Sequence, residues 1–339
     1  MIKMKEAMFY KGLDGKIKCT LCNHYCIIKE GKKGICGVRG NINTKLYSLI
    51  YGKSIADDID PIEKKPFFNF FPGTTAYSIA TVGCNFHCLN CQNWEISQMP
   101  KGKEGKIIGK ELSPKEIVAN AKRKGCKCIA YTYTEPTIFF EYAYDTANLA
   151  HEQGIKNVFV TNGYTSSEAI KAIFPFLDAA NIDLKSFSDD FYHEVCGARL
   201  QPVLDNIKCY KELGIWIEVT TLIIPGYSDD ESQLREIAEF IKSVGEDIPW
   251  HITAFYPAFK LQDVPPTPIE SLRKDRKIGM DAGLRYVYEG NVPGEGGENT
   301  YCYTCGKLVI NRYGFEIIEN KLINGNCPNC KTHIDGIGL

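Results

Sequence analysis

Apolar runs and helix-like patterns alternate through the middle of the chain. Apolar runs of strand length occupy residues 77–82, 128–133, 157–161, 179–184, 215–223, 251–255 and 284–288. Helical patterns lie between them, at residues 138–153, 166–174, 203–213, 229–244 and 269–282 and in the segment that begins at Ser113. Strands that alternate with helices favour a parallel sheet wound by right-handed crossovers. The pattern therefore predicts an α/β fold.

The segment that begins at Ser113 carries the strongest start signal for a helix. Ser113 is a good N-cap residue, a proline follows in the first turn, and Glu116 completes a capping box. Apolar Ile117, Val118 and Ala121 come next. A helix is therefore predicted from the residue after Ser113.

Composition and charge narrow the class of protein. A chain of 339 residues with 44% hydrophobic content can bury one large core and smaller satellites. The formal net charge of −1 gives no electrostatic argument for nucleic-acid binding. No apolar run approaches the ~20 residues that span a bilayer, so we expect a soluble chain with no membrane partner. Fifteen cysteines without a secretory leader indicate a reducing compartment, and we expect the cytoplasm.

Three cysteines stand close together after the first apolar run of the alternating region. Cys84, Cys88 and Cys91 are separated by three and then two residues. A four-iron cluster normally takes four thiolates, so three on one loop would leave one iron able to bind a molecule that is not protein. The alternative is a structural zinc site, since cysteine triplets with a distant fourth ligand are common.

A second set of cysteines lies near the end of the chain. Two CxxC pairs about twenty residues apart are formed by Cys302, Cys305, Cys327 and Cys330. This spacing is typical of a zinc ribbon, in which two tight turns place four thiolates around one metal ion. Four protein ligands close the site, so the prediction is a structural zinc ion.

A third set lies in a Gly- and Lys-rich stretch near the start of the chain. Its members are Cys19, Cys22, Cys26 and Cys36. The stretch is short and polar, so a metal is predicted to fold it. Zinc and a second iron–sulfur cluster would use the same four ligands, and the spacing does not decide between them. His24 is a further candidate ligand or, alternatively, a solvated loop residue.

The CxxxCxxC loop after an apolar run resembles that of the radical SAM superfamily. The resemblance implies a partial (β/α)6 TIM-like barrel, flanked here by the N-terminal four-cysteine module and the C-terminal zinc ribbon. It also implies a [4Fe–4S] cluster that binds S-adenosylmethionine (SAM) and, with an electron donor, cleaves it to methionine and a 5′-deoxyadenosyl radical. The radical abstracts hydrogen from a substrate, so the chain would be an oxidoreductase or transferase.

The resemblance extends to polar residues that follow three later strands. Tyr133-Thr-Glu-Pro136 corresponds to the family's Gly-Gly-Glu-Pro motif, which implies that Glu135, with Thr134, binds the SAM amino group. Thr161 and Asn162 follow the third strand, and Asp183 and Lys185 the fourth, which implies contacts to the ribose, amino or carboxylate groups of SAM. Taken without the resemblance, these residues would be a helix cap, a turn and a surface ion pair.

Several longer segments resemble the AmmeMemoRadiSam enzymes, which are related to the pyruvate formate-lyase activating branch of the superfamily. The segments are the N-terminal cysteines ending in CGVRGN, PIEKKPFFNFFPG after Asp60, the CxxxCxxC loop, VYEGNVPG after Tyr286, and the ribbon. The resemblance implies AMMECR1-like and Memo-like proteins as partners by association. It supplies no substrate and no catalytic residue.

Three functions therefore stay open for a chain divided at residues 1–75, 76–292 and 293–339. The first is a radical SAM enzyme acting on a protein or other large substrate. The second is a glycyl-radical activase, although those enzymes carry an arginine where this chain has Thr220 and Thr221. The third is a scaffold without activity, in which all three cysteine sets hold zinc.

Overall fold

The chain forms two compact units in the computed structural model, which describes residues 4–102 and 105–339. The first unit comprises the chain up to Asp60, Thr75–Ala180 and Cys196–Ala198. The second unit comprises Pro61–Thr74, Asn181–Val195 and Arg199–Leu339. None of the helices among the described residues is long and apolar enough to cross a membrane. The division into three parts made from the sequence stays a prediction.

The first unit is built from short N-terminal strands followed by alternating strands and helices. Its strands are β1 (Lys5–Glu6), β2 (Tyr10–Leu13), β3 (Lys16–Cys19), β4 (Ile27–Lys29), β5 (Arg39–Ile42), β6 (Lys45–Ser48), β7 (Lys53–Ser54), β8 (Ala56–Pro61), β9 (Thr75–Ala80), β10 (Lys110–Glu111), β11 (Cys128–Tyr131) and β12 (Lys156–Thr161). Its helices are α1 (Trp94–Ser97), α2 (Pro114–Arg123), α3 (Phe140–Glu152) and α4 (Ser167–Ile173), with 3₁₀ turns at Met99–Lys101, Pro136–Phe139 and Phe174–Phe176.

Parallel strands form the centre of the first unit. Strand β11 pairs in parallel with β9 on one side and with β12 on the other. Every residue of β11 is buried, as expected for a parallel strand covered on both faces. Because the three strands run in one direction, their carboxyl ends meet at one edge of the sheet.

The helices α2 and α3 begin as local sequence chemistry requires. Ser113 caps α2, since its hydroxyl accepts a hydrogen bond from Glu116 N and the Glu116 carboxylate accepts from Ser113 N, which confirms the predicted capping box. The helix predicted for residues 138–153 begins as a 3₁₀ turn and becomes α-helical at Phe140. Pro136 opens this turn and the Glu135 carboxylate caps it.

The N-terminal residues form two small antiparallel sheets, β2–β3–β4 and β1–β6–β5. Apolar Leu21, Ile28 and Val38 of the four-cysteine stretch are buried. Arg39 ties this segment to α3, because its guanidinium lies 2.9 Å from both carboxylate oxygens of Glu141 and both side chains are buried. Removal of either partner would leave an uncompensated buried charge, which strongly destabilises the fold.

The second unit continues the alternation and ends in a small antiparallel sheet. Its strands are β13 (Ala179–Asp183, which begins in the first unit), β14 (Trp216–Ile223), β15 (Trp250–Ala254), β16 (Val287–Gly290), β17 (Thr300–Tyr301), β18 (Leu308–Tyr313) and β19 (Glu316–Asn320). Its helices are α5 (Asp189–Phe191), α6 (Gln201–Glu212), α7 (Glu231–Val244) and α8 (Ile269–Ala282), with a 3₁₀ turn at Ile62–Lys64 and a π-helical turn at Tyr192–Cys196.

Parallel pairing also orders the second unit, where β15 lies between β14 and β16. Helix α8 packs closely on these strands at Gly279, where a Cβ atom would come within 2.9 Å of the Trp250 ring. The last strand was predicted from residue 284 and begins instead at Val287. Gly283 ends α8 in a left-handed conformation and Leu284 N still bonds to Gly279 O, so residues 284–286 complete the helix terminus and the turn after it.

The Phe-rich segment after Pro61 is packed inside the second unit. The buried carboxylate of Glu218 accepts hydrogen bonds from Phe68 N and Asn69 N, at 3.0 and 2.9 Å. His251 Nε2 lies 2.6 Å from the same carboxylate, and its ring meets the Phe68 ring edge to face. Glu218 thus satisfies two backbone N–H groups of this segment, and a parallel bridge between Phe70 and Ile337 satisfies others.

Candidate functional site

The three-cysteine loop begins at the carboxyl end of β9. Cys84 is buried, whereas Cys88 and Cys91 are partly exposed. The Cys84 sulfur accepts a hydrogen bond from Phe86 N at 3.4 Å, and Asn162 Nδ2 lies 3.9 Å from it. Cys91 Sγ lies 3.2 Å from the Ser97 hydroxyl. Burial raises the pKa of Cys84, while the nearby Lys101 charge and the Phe86 N–H oppose the rise.

Hydrogen bonds join this loop to the ends of the neighbouring strands. Asn85 Oδ1 accepts from Asn162 Nδ2 at 2.8 Å, just after β12. Asn93 Nδ2 donates to Tyr133 O at 3.0 Å, just after β11, and Thr134 Oγ1 donates to Thr81 O at 2.9 Å. The loop, the second strand end and the third strand end therefore form one hydrogen-bonded edge of the first unit.

Glu135 lies at the centre of this edge and is fully buried. Its Oε1 accepts from Thr137 N, Thr137 Oγ1 and Thr161 Oγ1, and its Oε2 accepts from Asn162 N at 2.8 Å. Burial raises the pKa of this carboxyl, while the hydrogen bonds oppose the rise. The structure thus brings together four of the predicted site residues, namely Thr134, Glu135, Thr161 and Asn162. Their contact with SAM stays a prediction.

Tyr133 adopts a backbone conformation that is uncommon for a bulky residue. Its φ is +66°, in the left-handed region that residues other than glycine seldom occupy. A non-glycine residue in this region costs about 1–3 kcal/mol and persists only when its surroundings hold it. The Tyr133 hydroxyl donates to Asp60 Oδ2 at 2.6 Å, and Asn93 holds its carbonyl. These contacts therefore hold the backbone of Tyr133 in a strained conformation at the end of β11.

Two residues of this edge were missed by the sequence analysis. Lys101 is partly buried, its ammonium donates to Phe86 O at 2.6 Å, and its positive charge acts on the cysteines of the loop. Burial lowers the pKa of Lys101. Asn85 holds Asn162 and thereby the third strand end. Lys101 lies in a Lys-rich loop and Asn85 beside a cysteine, so neither position carries a sequence signal of its own.

Asp183 and Lys185 are close to each other in the second unit. Lys185 Nζ lies 2.8 Å from Asp183 Oδ2, and both side chains are partly buried. The Lys185 backbone N–H bonds to the Tyr192 hydroxyl at 3.1 Å. The two residues form the ion pair that the sequence allowed, and their predicted contact with SAM stays a prediction.

The C-terminal cysteines have the geometry of a site for one metal ion. The sulfur atoms of Cys302, Cys305, Cys327 and Cys330 all lie within 4.8 Å of one another. Two of the separations are 3.5 Å and 3.7 Å, and a tetrahedral zinc with bonds of ~2.3 Å requires edges of about 3.8 Å. Hydrogen bonds lower the pKa of Cys330 to about 6, and the bond with the Thr332 side chain has the largest effect. The lowered pKa favours the thiolate form, which binds metal.

The other two cysteine sets are more widely spaced. Among the described residues, only the C-terminal set brings three or more ligand atoms that close together. Wider spacing fits an iron–sulfur cluster, whose thiolates bind different irons. For Cys84, Cys88 and Cys91, the donors at sulfur and the nearby Lys101 ammonium therefore fit a [4Fe–4S] cluster. Near the N-terminus, His24 is partly exposed, and its Nε2 is hydrogen-bonded to Asn85 O at 2.9 Å.

Replacement of Glu135 by glutamine tests the hydrogen-bonded edge. One carboxylate oxygen would become an NH₂ group that faces N–H or O–H donors, so we expect the free energy of unfolding to fall by about 1–3 kcal/mol. Urea denaturation of anaerobic protein measures this fall, with Glu152→Gln at the exposed end of α3 as the control. An unchanged urea midpoint would contradict the assigned network.

Comparisons with known proteins give a consistent result. The family model described as the Radical SAM superfamily matches residues 78–241. An uncharacterized protein of Methanocaldococcus jannaschii is 50% identical over 336 residues, which cover 98% of this chain and 99% of that protein. The pyruvate formate-lyase-activating enzyme of Clostridium pasteurianum is 25% identical over 215 residues, covering 61% of this chain and 89% of the enzyme.

Solved structures agree at the level of the fold. A radical SAM methyltransferase of Sphaerobacter thermophilus matches with a TM-score of 0.50 and 15% identity, over 70% of this chain and 71% of that chain. Streptococcus suis SuiB bound to S-adenosylmethionine matches with a TM-score of 0.51 and 14% identity, over 68% of this chain and 53% of that chain. Likenesses at this identity show a shared α/β fold.

Proposed function

Because the chain belongs to the radical SAM superfamily, we propose that it cleaves SAM reductively and removes a hydrogen atom from a protein or other large substrate. A [4Fe–4S] cluster held by Cys84, Cys88 and Cys91 would supply the one-electron cleavage of bound SAM to methionine and a 5′-deoxyadenosyl radical. Substrate oxidation then breaks one C–H bond and forms the new C–H bond of 5′-deoxyadenosine. We also propose that the fold is a partial (β/α)6 barrel.

One observation carries this proposal. The three-cysteine loop starts at the carboxyl end of a parallel strand and is hydrogen-bonded to the ends of the next two strands. Ligands of parallel α/β folds bind at this end of the strands. Phe86 N donates to the buried Cys84 sulfur, and Lys101 supplies a positive charge near the loop. Both features support a metal site at this loop.

Polar groups at the strand ends would hold the amino acid part of SAM. A carboxylate offers about four acceptor positions, and Oε2 of Glu135 uses only one of them, on Asn162 N. Glu135 can therefore accept a hydrogen bond from the SAM ammonium without losing its partners. We propose that SAM also contacts Thr134, Thr161, Asn162, Asp183 and Lys185. Lys185 would bind the SAM carboxylate.

The C-terminal set supports a large substrate. Its four thiolates, at single-ion spacing, would form a zinc ribbon. The C-terminal segment exposes apolar side chains, namely Tyr301, Tyr303, Tyr313, Phe315 and Ile318. We propose that they form one contiguous surface, which is typical of contact with another macromolecule. The proposed partners are an electron donor and, by family association, AMMECR1-like and Memo-like proteins in the cytoplasm.

Glycyl-radical activation is the second candidate, because similarity to a pyruvate formate-lyase-activating enzyme favours it. The positions where that class carries an arginine hold buried Thr220 and Thr221. Thr220 Oγ1 donates to Asn181 Oδ1 and Thr221 Oγ1 to Leu184 O, so both hydroxyls have partners inside the second unit. No guanidinium is available there to anchor a partner's backbone or carboxylate, which places this candidate second.

Deuterium transfer tests the substrate class. The source organism is grown in D₂O, and its extract is separated by size into macromolecules and small molecules. Each fraction is incubated anaerobically with the enzyme, SAM and dithionite, and deuterium in 5′-deoxyadenosine is measured by mass spectrometry. We expect enrichment with the macromolecular fraction, and its loss after protease treatment if the substrate is a protein.

The Cys88→Ala protein is the matched control for this assay, because it should give no 5′-deoxyadenosine with either fraction. Enrichment only with the small-molecule fraction would contradict a large substrate. A new glycyl radical signal in the macromolecular fraction would instead favour activation of a partner enzyme.

A further inference from the structure

The four N-terminal cysteines surround one cavity inside the first unit. The cavity is small and is lined by all four, namely Cys19, Cys22, Cys26 and Cys36. Apolar Leu21, Ile28 and Ile138 complete much of the wall. Cys19 and Cys36 are buried, and Cys19 N bonds to Cys26 O at 2.9 Å. The four cysteines thus line one pocket on a hydrogen-bonded frame.

The C-terminal cysteines have the sulfur spacing of a site for one metal ion, and the N-terminal set can be compared with them. In the C-terminal set, all four sulfur atoms lie within 4.8 Å of one another, with contacts of 3.5 and 3.7 Å. The N-terminal cysteines are all described, and no three of them reach that spacing. A single zinc requires the closer spacing. A cubane cluster requires the wider one, because each thiolate binds a different iron.

Two buried donors without acceptors line the same cavity. Asn85 Nδ2 and Arg39 Nε have no hydrogen-bond partner in the described structure, and both side chains are at most 2% exposed. A buried N–H group without an acceptor is costly unless a further group completes the site. The inorganic sulfides of a cluster accept such hydrogen bonds, and these bonds tune its potential.

The cavity is adjacent to the three-cysteine loop. Asn85 lines it and directly follows Cys84. Gly83 has a φ of +101°, and a Cβ atom there would lie 2.8 Å from Val38 Cγ1 and 3.0 Å from Cys36 O. The two cysteine sets are therefore in direct backbone contact, which only glycine permits at this point.

From the cavity, the spacing and the unpartnered donors, we infer that Cys19, Cys22, Cys26 and Cys36 hold a second [4Fe–4S] cluster. The cluster is closed by four thiolates, and Arg39 and Asn85 donate hydrogen bonds to its sulfur atoms. Leu21, Ile28 and Ile138 shield it from water. This site is distinct from the one formed by Cys84, Cys88 and Cys91, and it does not depend on which substrate the enzyme takes.

Metal analysis of the full chain tests this inference. Protein is isolated anaerobically from cells supplied with iron and zinc in equal amounts, and iron, sulfide and zinc are measured per chain. We expect about eight irons and one zinc, with Mössbauer spectra of two [4Fe–4S] clusters. About four irons and two zinc ions would overturn the inference.

Two variants assign the metal to its site. Cys84, Cys88 and Cys91 are replaced together by alanine, and this protein should keep about four irons and an electron paramagnetic resonance signal after dithionite reduction. A triple variant with no iron and an additional zinc would overturn the inference. Cys26→Ser with Cys36→Ser should lose about four irons and keep the remaining cluster and zinc. If the variants do not fold, the metal count of the native chain decides alone.

Discussion

Replacement of Cys88 by alanine is expected to abolish SAM cleavage without unfolding the protein. A [4Fe–4S] cluster bound through only two cysteines of the loop loses one of its three thiolate ligands. Cys88 lies on a partly exposed loop, so its removal leaves the buried network of Glu135, Thr161 and Asn162 intact. We expect 5′-deoxyadenosine formation to fall to the level of a protein-free control.

Liquid chromatography with mass spectrometry measures the 5′-deoxyadenosine, and circular dichroism measures folding. The matched control is Cys209→Ala on α6, a cysteine outside all three sets. The control should keep native activity and iron content. Full cleavage by the Cys88→Ala protein, or unfolding of that protein alone, would contradict the assignment of this loop.

Replacement of Cys302 by alanine is expected to have the largest effect on stability. Structural zinc in small modules contributes an apparent ~10–16 kcal/mol to folding. Cys302 is 1% exposed and packs in a cluster with Phe68, Tyr288 and Ile334, so loss of the metal also opens apolar packing. We expect the Cys302→Ala protein to lose one zinc per chain. Its free energy of unfolding should fall by a substantial part of the zinc contribution.

Zinc analysis and urea denaturation measure this effect, with SAM cleavage as a separate measurement. Tyr313→Ala is the control, since Tyr313 is 61% exposed on the same sheet. Cleavage per folded chain should be retained in the Cys302→Ala protein. A variant that keeps its zinc and its urea midpoint would show that these thiolates do not form the predicted structural site.

Local chemistry made much of the fold predictable. The capping box at Ser113 and the apolar runs fixed where α2 and the parallel strands would lie, because capping and burial act over a few residues. Helix α8 was predicted with the observed bounds. The 3₁₀ start before α3 was missed, because it depends on Pro136 and on a carboxylate that bonds to another strand end.

The site was predictable where the spacing of ligands is local. Paired CxxC motifs put thiolates on tight turns, so the close C-terminal set could be predicted from the sequence. The metal-binding role of Cys84, Cys88 and Cys91 stays a prediction. Contacts between distant segments could not be predicted in this way. The ion pair of Arg39 with Glu141 and the bond of Asn85 to Asn162 join residues far apart in the chain, and only the fold brings them together.

The most direct measurement of the central claim uses the native chain without any added substrate. The protein is reconstituted anaerobically with iron and sulfide and incubated with SAM and dithionite. We expect 5′-deoxyadenosine and methionine in equal amounts, and neither product when the reductant is omitted. A chain that carries its full complement of iron and sulfide and forms no 5′-deoxyadenosine would contradict the central claim.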